Sequence, residues 1–195
     1  MIVKKLETYN DFYTRLEKSR ASAKKVVRLT QLEPWVPAEY EHNGTRNSYY
    51  QRDVACFLQH PDVFFYRIVS IESKSRLNWV KSLIEATIDL PNVFFAYIEI
   101  GNIAASAPFP KMLSLQIIDD KEVFMDDPQL GYMPRSYFPC YYIKDKTLGK
   151  MYSDYYQKVW DTLRDNLAHG MLLKDGLGSQ GYEQKLDNIK QAKGW

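Results

Sequence analysis

Apolar and polar positions follow two rhythms along this chain, and the changes between them mark out its elements. Tyr9, Phe12, Tyr13, Leu16 and Ala23 recur at intervals of three and four, which sets them on one face of a helix with Lys18 and Lys25 opposite. Arg20 shares that apolar face, where two readings are open: an aliphatic stem over the core with its head in water, or a guanidinium aimed into a cleft. Residues 25–32, KVVRLTQL, read as a strand stopped by Glu33, Pro34 and Pro37. A polar loop through Asn43, Gly44 and Thr45 leads to a helix over about 46–59, with Tyr49, Tyr50, Val54 and Phe57 or Leu58 facing inward, and Pro61 ends it.

Residues 63–71, VFFYRIVSI, and 93–100, VFFAYIEI, are apolar, aromatic and β-branched runs that flank a helical pattern on Leu77, Val80, Ile84 and Ile88. Strand, crossover helix and strand make a βαβ unit, whose strands are parallel and whose crossover is right-handed. Residues 102–110, NIAASAPFP, oppose regular structure, and residues 113–125, LSLQIIDDKEVFM, then read as a β-hairpin with two adjacent carboxylates at its turn. A turn-rich stretch leads to a short strand, CYYIKD at 140–145, and to a strong helix on Leu148, Met151, Tyr152, Tyr155, Val159, Leu163 and Leu167, capped by Gly170. Beyond it, Gly176, Gly178 and Gly181 precede a segment whose few apolar residues form a narrow stripe. The expected organisation is an α/β domain over residues 1–169 and a C-terminal tail or docking helix over 170–195.

Composition adds few constraints. A chain of 195 residues suits one domain with a sizeable core. The 15 Tyr, 9 Phe and 4 Trp exceed what a core alone demands, so some are expected on a surface or interface, with Trp35, Tyr40, Tyr49, Tyr50, Tyr132, Tyr137 and Tyr141 as candidates. A formal charge of +2 is too small to imply nucleic acid by itself, although Arg15, Lys18, Arg20, Lys24, Lys25 and Arg28 form a local basic run. Cys56 and Cys140 have no Cys or His neighbours at metal-ligand spacing and read as free thiols. With no run long enough for a membrane span and no leader-like amino terminus, the expected location is cytoplasmic, and neither cofactor nor metal is expected.

The order of elements, together with the hairpin LSLQIIDDKEVFM, resembles the phospholipase D-like superfamily over about residues 7–168. The resemblance implies an α/β fold with a mixed, mainly parallel sheet and helices on both faces. In that family a strand carries His, any residue, Lys, four residues and Asp, with the His as nucleophile or acid and the Lys binding phosphate. Setting Asp119 at the family's Asp puts Met112 where the His belongs and Ser114 where the Lys belongs; setting Asp120 there gives Leu113 and Leu115. Phosphodiester cleavage of that kind needs an imidazole to attack phosphorus and a cation to hold the oxygens. The resemblance is therefore to a degenerate member without catalytic residues, one that works as a regulatory sensor or interaction module and pairs as a homodimer.

Among candidate ligand-binding residues, Arg67 lies inside an otherwise apolar strand and must find a partner or a polar cleft. An anion such as phosphate would suit it, and so would an ion pair with Glu99 on the next strand. Lys111 and Arg135 sit on loops that could approach the same end of the sheet, and Asp119 completes the set, with turn capping as its alternative role. His42, His60 and His169 lack a nucleophile or carboxylate at a recognisable spacing. The expected partners are a second copy, an anionic small molecule or a protein, with nucleic acid less favoured and no membrane. The competing functional classes are a phosphodiesterase or nuclease-like enzyme with relocated catalytic groups and a nucleic-acid-binding regulator.

Overall fold

A computed structural model describes residues 1–32, 48–99, 114–126, 140–165, 170–176 and 181–195. The strands are β1 (Ile2–Leu6), β2 (Val26–Gln31), β3 (Phe64–Val69), β4 (Val93–Ile98), β5 (Ser114–Ile118), β6 (Glu122–Asp126), β7 (Cys140–Lys144) and β8 (Gly170–Lys174). The helices are α1 (Tyr9–Ala21), α2 (Ser48–Gln59), α3 (Lys74–Ala86), α4 (Lys146–Asp165) and α5 (Tyr182–Ala192). All the strands join one sheet in the order β1-β7-β6-β5-β2-β3-β4-β8. Parallel pairing is confined to β2, β3 and β4, as the βαβ pattern requires, and the other five pairings are antiparallel, so the sheet is mixed as expected but not mainly parallel, because hairpin and edge strands outnumber the crossover strands.

Alternation along each strand divides the core. Val27, Phe65, Val93, Phe95, Phe124 and Tyr142 point to one face, where Phe12 and Leu16 of α1, Phe57 of α2, Val80 and Ile84 of α3, and Leu186 and Ile189 of α5 cover them. Ile68, Ala96, Leu115, Ile117 and Val123 point to the other face and meet Tyr156, Val159, Trp160 and Leu163 of α4. Side-chain caps set two of the helix starts: Thr8 Oγ1 accepts from Asp11 N–H at 3.1 Å for α1, and Ser73 Oγ accepts from Arg76 N–H at 3.2 Å for α3. Within α4, a Cβ on Gly149 would lie 2.6 Å from Lys121 Cα, so glycine is what lets this helix seat against the hairpin turn.

Residues past 170 build more than a tail. β8 pairs with β4, and α5 buries Tyr182, Leu186 and Ile189 in the same core as α3. Strands β1 and β8 were not anticipated from the sequence, because each is a five-residue edge strand without sustained alternation. No helix among the described residues is long and apolar enough to cross a membrane.

The carboxyl ends of the parallel strands gather at one end of this sheet. β2, β3, β4 and β6 finish there and β5, β7 and β8 begin there, as the pairs Gln31–Val69, Ile98–Gly170, Ser114–Asp126 and Asp126–Cys140 fix. The chain reverses its direction of travel across the sheet between β4 and β5, which lands on the far side of β2. In open α/β sheets, ligands bind outside the carboxyl ends of strands at such a reversal.

Candidate functional site

At the reversal point β5 separates from β2. The ladder between them covers Val27 to Leu29 against Gln116 to Ile118, and beyond it the Thr30 side chain takes over. Thr30 Oγ1 accepts from the Leu115 N–H at 2.7 Å, while Ser114 Oγ donates to the Thr30 carbonyl at 3.4 Å. From the α4 face Tyr156 OH donates to the Leu29 carbonyl at 3.2 Å. Ser114, at the position where the resemblance places a phosphate-binding lysine, is thus a neutral side chain only 6% exposed and engaged with its neighbour strand. Met112 lies outside the described residues, and so do Lys111 and Arg135, the expected loop ligands. His42, His169, Trp35, Tyr40, Tyr132 and Tyr137 fall outside them too.

Asp119 sits just past the other end of β5, five residue steps or roughly 17 Å from Ser114. With Asp120 it forms the hairpin turn, closed by Lys121 N–H donating to the Ile118 carbonyl at 3.1 Å, and both aspartates have left-handed φ values of 51° and 55°. This is type I′ geometry, which aspartate tolerates because its short side chain bonds locally. Here the carboxylates bond further afield and in different directions. Asp119 accepts the backbone N–H groups of Lys24, Lys25 and Val26 at 2.9, 2.8 and 3.1 Å, so it staples the α1–β2 connection to the hairpin. Asp120 meets the Arg28 guanidinium at 2.5 Å. Burial would raise the Asp120 carboxyl, but Ser153, Arg28 and Lys150 outweigh it and hold its pKa below the ordinary value. The Asp119 oxygens are thus occupied by backbone N–H groups, at the end of the sheet remote from Ser114.

Arg67 finds its counter-ion inside the protein. On β3 it lies between Leu29 and Phe95 in register, 3% exposed, and its Nη2 reaches Asp53 Oδ2 of α2 at 2.5 Å while Nη1 donates to Gln31 Oε1 at 3.0 Å. The second Asp53 oxygen is taken by Arg20 of α1, whose Nη2 also donates to Gln116 Oε1 at 2.7 Å. Burial would raise the Asp53 carboxyl; the charges of Arg67 and Arg20 and their hydrogen bonds prevail and lower its pKa below the usual carboxylate value. Two sequence expectations change here. The pair with Glu99 does not form, since Glu99 lies 3.7 Å from Lys193 instead. The Arg20 head is not in water but buried, because a carboxylate on the neighbouring helix compensates its desolvation.

Asp53 was missed from the sequence. A signal was present: it stands three and four residues from Tyr50, Tyr49 and Phe57, on the apolar stripe of α2, as Arg20 stands on that of α1. The cavity beside this network, lined by Arg20, Leu29, Phe57, Phe65, Arg67 and Phe95, measures about 10 Å³, room for one water and not for a small-molecule ligand.

Half of the basic run faces carboxylates. Arg15 lies 3.8 Å from Glu122, Arg20 meets Asp53 and Arg28 meets Asp120, which leaves Lys18, Lys24 and Lys25 exposed. His60 sits just before β3, at the end of the sheet opposite Ser114. Among the described residues no group of three or more His, Cys, Asp or Glu is placed to hold a metal, and both cysteines are free.

Comparison with solved structures identifies the architecture. The fold is phospholipase D-like. Nuc from Salmonella typhimurium, a phospholipase D family member, matches with a TM-score of 0.56 at 10% identity, over 82% of this chain and 94% of its own. The phosphatidylserine synthase of Haemophilus influenzae Rd KW20 matches with 0.56 at 11% identity, over 98% of this chain and 43% of its own. TrmBL2, an archaeal chromatin protein with a novel mode of DNA binding, matches with 0.56 at 13% identity, over 83% of this chain, which spans about half (53%) of its length. No protein-family model and no curated protein matches the sequence.

Proposed function

We propose that this chain is a noncatalytic phospholipase D-like module that binds an anionic ligand or a protein partner and acts as a pair of copies. The observation that carries the reading is Ser114. A buried, neutral hydroxyl engaged with Thr30 supplies no cation for phosphate oxygens, and Met112 in the preceding motif position supplies no nucleophile. Among the described residues, the buried Arg67 and Arg20 share Asp53, and the buried Arg76 donates to the Gln31 and Ser70 carbonyls.

Pairing is supported by the sheet's unequal covering. Eight strands span roughly 34 Å, whereas a helix is about 10 Å across. Among the described residues α4 alone packs on its face, leaving Phe64 (49%), Tyr141 (42%) and Val3 (54%) exposed on either side. That the synthase chain is more than twice as long as the part matched here is consistent with a partner unit.

The test is incubation of the full chain with bis(p-nitrophenyl) phosphate and with plasmid DNA, beside light scattering of the same sample. We expect no turnover above buffer and a mass of two chains. Turnover that survives purification would instead support the enzyme with relocated groups, and a monomer at high concentration would remove the pairing. DNA binding would favour a regulator like the chromatin protein, at the expense of the small-ligand reading.

A further inference from the structure

A second cluster of charge lies away from the reversal point, where α1 crosses the β6–β7–β1 flank. Its centre is Tyr142, 2% exposed, whose hydroxyl donates to Glu122 Oε2 at 3.0 Å and accepts from Arg15. The Arg15 guanidinium also lies over the Tyr142 ring, 4.3 Å from its centroid, so its position is fixed by a stack and a hydrogen bond together. Its Nε is buried and donates to no acceptor among the described residues. Lys4 is the cross-strand neighbour of Tyr142 and points to the same face, and Lys144 is two residues along β7 on that face. Lys18 stands one turn along α1 from Arg15. Lys4, Lys18 and Lys144 are exposed.

The carboxylate of Glu122 cannot balance this group. Ser19 Oγ at 2.6 Å and Tyr142 occupy Oε2, and Lys144 Nζ sits 3.0 Å from Oε1. Of the other nearby acids, Glu7 pairs with Lys5 at 2.9 Å and Asp145 lies 3.7 Å from the amino terminus, while Asp11, one turn before Arg15, keeps its charge and accepts from the Thr8 hydroxyl at 2.8 Å. Four cations against the carboxylates of Glu122 and Asp11, with a stacked guanidinium at the middle and exposed lysines at the rim, is an arrangement that suits a compact multivalent anion.

We propose that Arg15, Lys4, Lys18 and Lys144 form a binding site for a phosphate dianion, carried by a free phosphate or by a phosphomonoester. The site sits on the α1 face of the sheet edge and uses nothing from the reversal point. It deepens the anion-binding part of the function proposed above and rests on that part alone.

The experiment is an amide NMR titration of the full chain with inorganic phosphate, with ionic strength held constant by sodium chloride. Saturable shifts confined to β1, β7 and the middle of α1 are expected. Affinity should rise from about pH 6 to about pH 8 as the monoanion becomes the dianion. Lys4→Gln with Lys144→Gln, both at exposed positions, should weaken it about tenfold or more with the spectrum otherwise unchanged. A second arm uses an amide-blocked phosphoserine: tighter binding than phosphate assigns the site to phosphorylated side chains, and equal binding to the free ion. Shifts that are linear, that chloride reproduces, or that the lysine substitutions leave intact would overturn the site. A chain that fails this test and also lacks phosphodiesterase activity loses the site but keeps the noncatalytic reading.

Discussion

Removing the carboxylate of Asp53 tests whether the buried arginines are held by the fold or reserved for a ligand. In Asp53→Ala, Arg20 and Arg67 would face each other with 8% and 4% of their side chains exposed, and each would lose its ion pair. Breaking one buried pair in this way destabilises a protein by 3–5 kcal/mol, because the orphaned charge keeps its desolvation penalty. We expect about 4 kcal/mol here, against a total stability of order 5–15 kcal/mol. Gln31 and Gln116 remain as neutral acceptors and keep the loss from doubling. In urea, with a slope near 2 kcal/mol per molar, the midpoint should fall by about 2 M without a change in slope. Adding Arg67→Met to Asp53→Ala should restore part of the loss, by about 1 kcal/mol or more, since it removes one of the two buried charges deprived of the Asp53 carboxylate. A midpoint shift under about 0.5 M, or a double variant no better than the single, would refute the argument that Asp53 neutralises this network.

Three further outcomes follow from the same reasoning. Asp119→Ala strips the acceptor from three backbone N–H groups and should lower stability by about 1–3 kcal/mol in chemical denaturation, with phosphate affinity at the Arg15 site unchanged. Lys174→Met should destabilise by about 2 kcal/mol or more, measured by the same unfolding curves, because its ammonium serves the carbonyls of Leu90, Val93 and Gly176 at 2.7, 2.6 and 2.9 Å, with no donor to replace it. For Glu122, burial acts to raise the carboxyl, but Ser19, Lys144 and Tyr142 outweigh it and lower its pKa below the ordinary 4.5. The unfolded chain therefore binds the proton first, so the contribution of Glu122 is complete above about pH 4.5 and disappears as pH falls through its lowered value. Acid unfolding of Glu122→Gln should be correspondingly shallower over that window, and an identical acid limb would count against the assignment.

What the sequence disclosed depended on range. The hairpin at 114–126 and the β3–α3–β4 unit were legible because their signals are local: a turn pair between alternating runs, and two matched strands around a helical period. β8 was not legible, since GMLLK carries too little pattern to distinguish a strand from the end of a helix, and its place in the sheet comes only from pairing with β4. Arg67 was correctly singled out as a charge that needs a partner, yet adjacency on the next strand suggested Glu99. Three-dimensional packing selected Asp53, which sits on a helix that crosses above. Such partners are invisible to a reading of neighbours. They become visible only when charges that break an apolar stripe, here Arg20, Asp53 and Arg67, are collected from several elements and matched by sign.

The same geometry explains how an acidic hairpin can outlast the chemistry proposed to be lost. Along β5 the two ends have separable duties. Ser114 lies at the reversal point, where a reacting group would face a ligand, and substituting a side chain there alters chemistry while Thr30 keeps the strand in place. Asp119 lies roughly 17 Å away and orders the first residues of β2, a duty that exists whether or not anything is cleaved. Placing a lysine at Ser114 would therefore not recreate a site by itself. The new ammonium would enter a position 6% exposed, and the absence of an imidazole at Met112 would leave no nucleophile for it to assist. On this argument Ser114→Lys loses stability and gains no phosphodiesterase activity, and a single substitution that produced turnover would place the catalytic groups elsewhere in the chain.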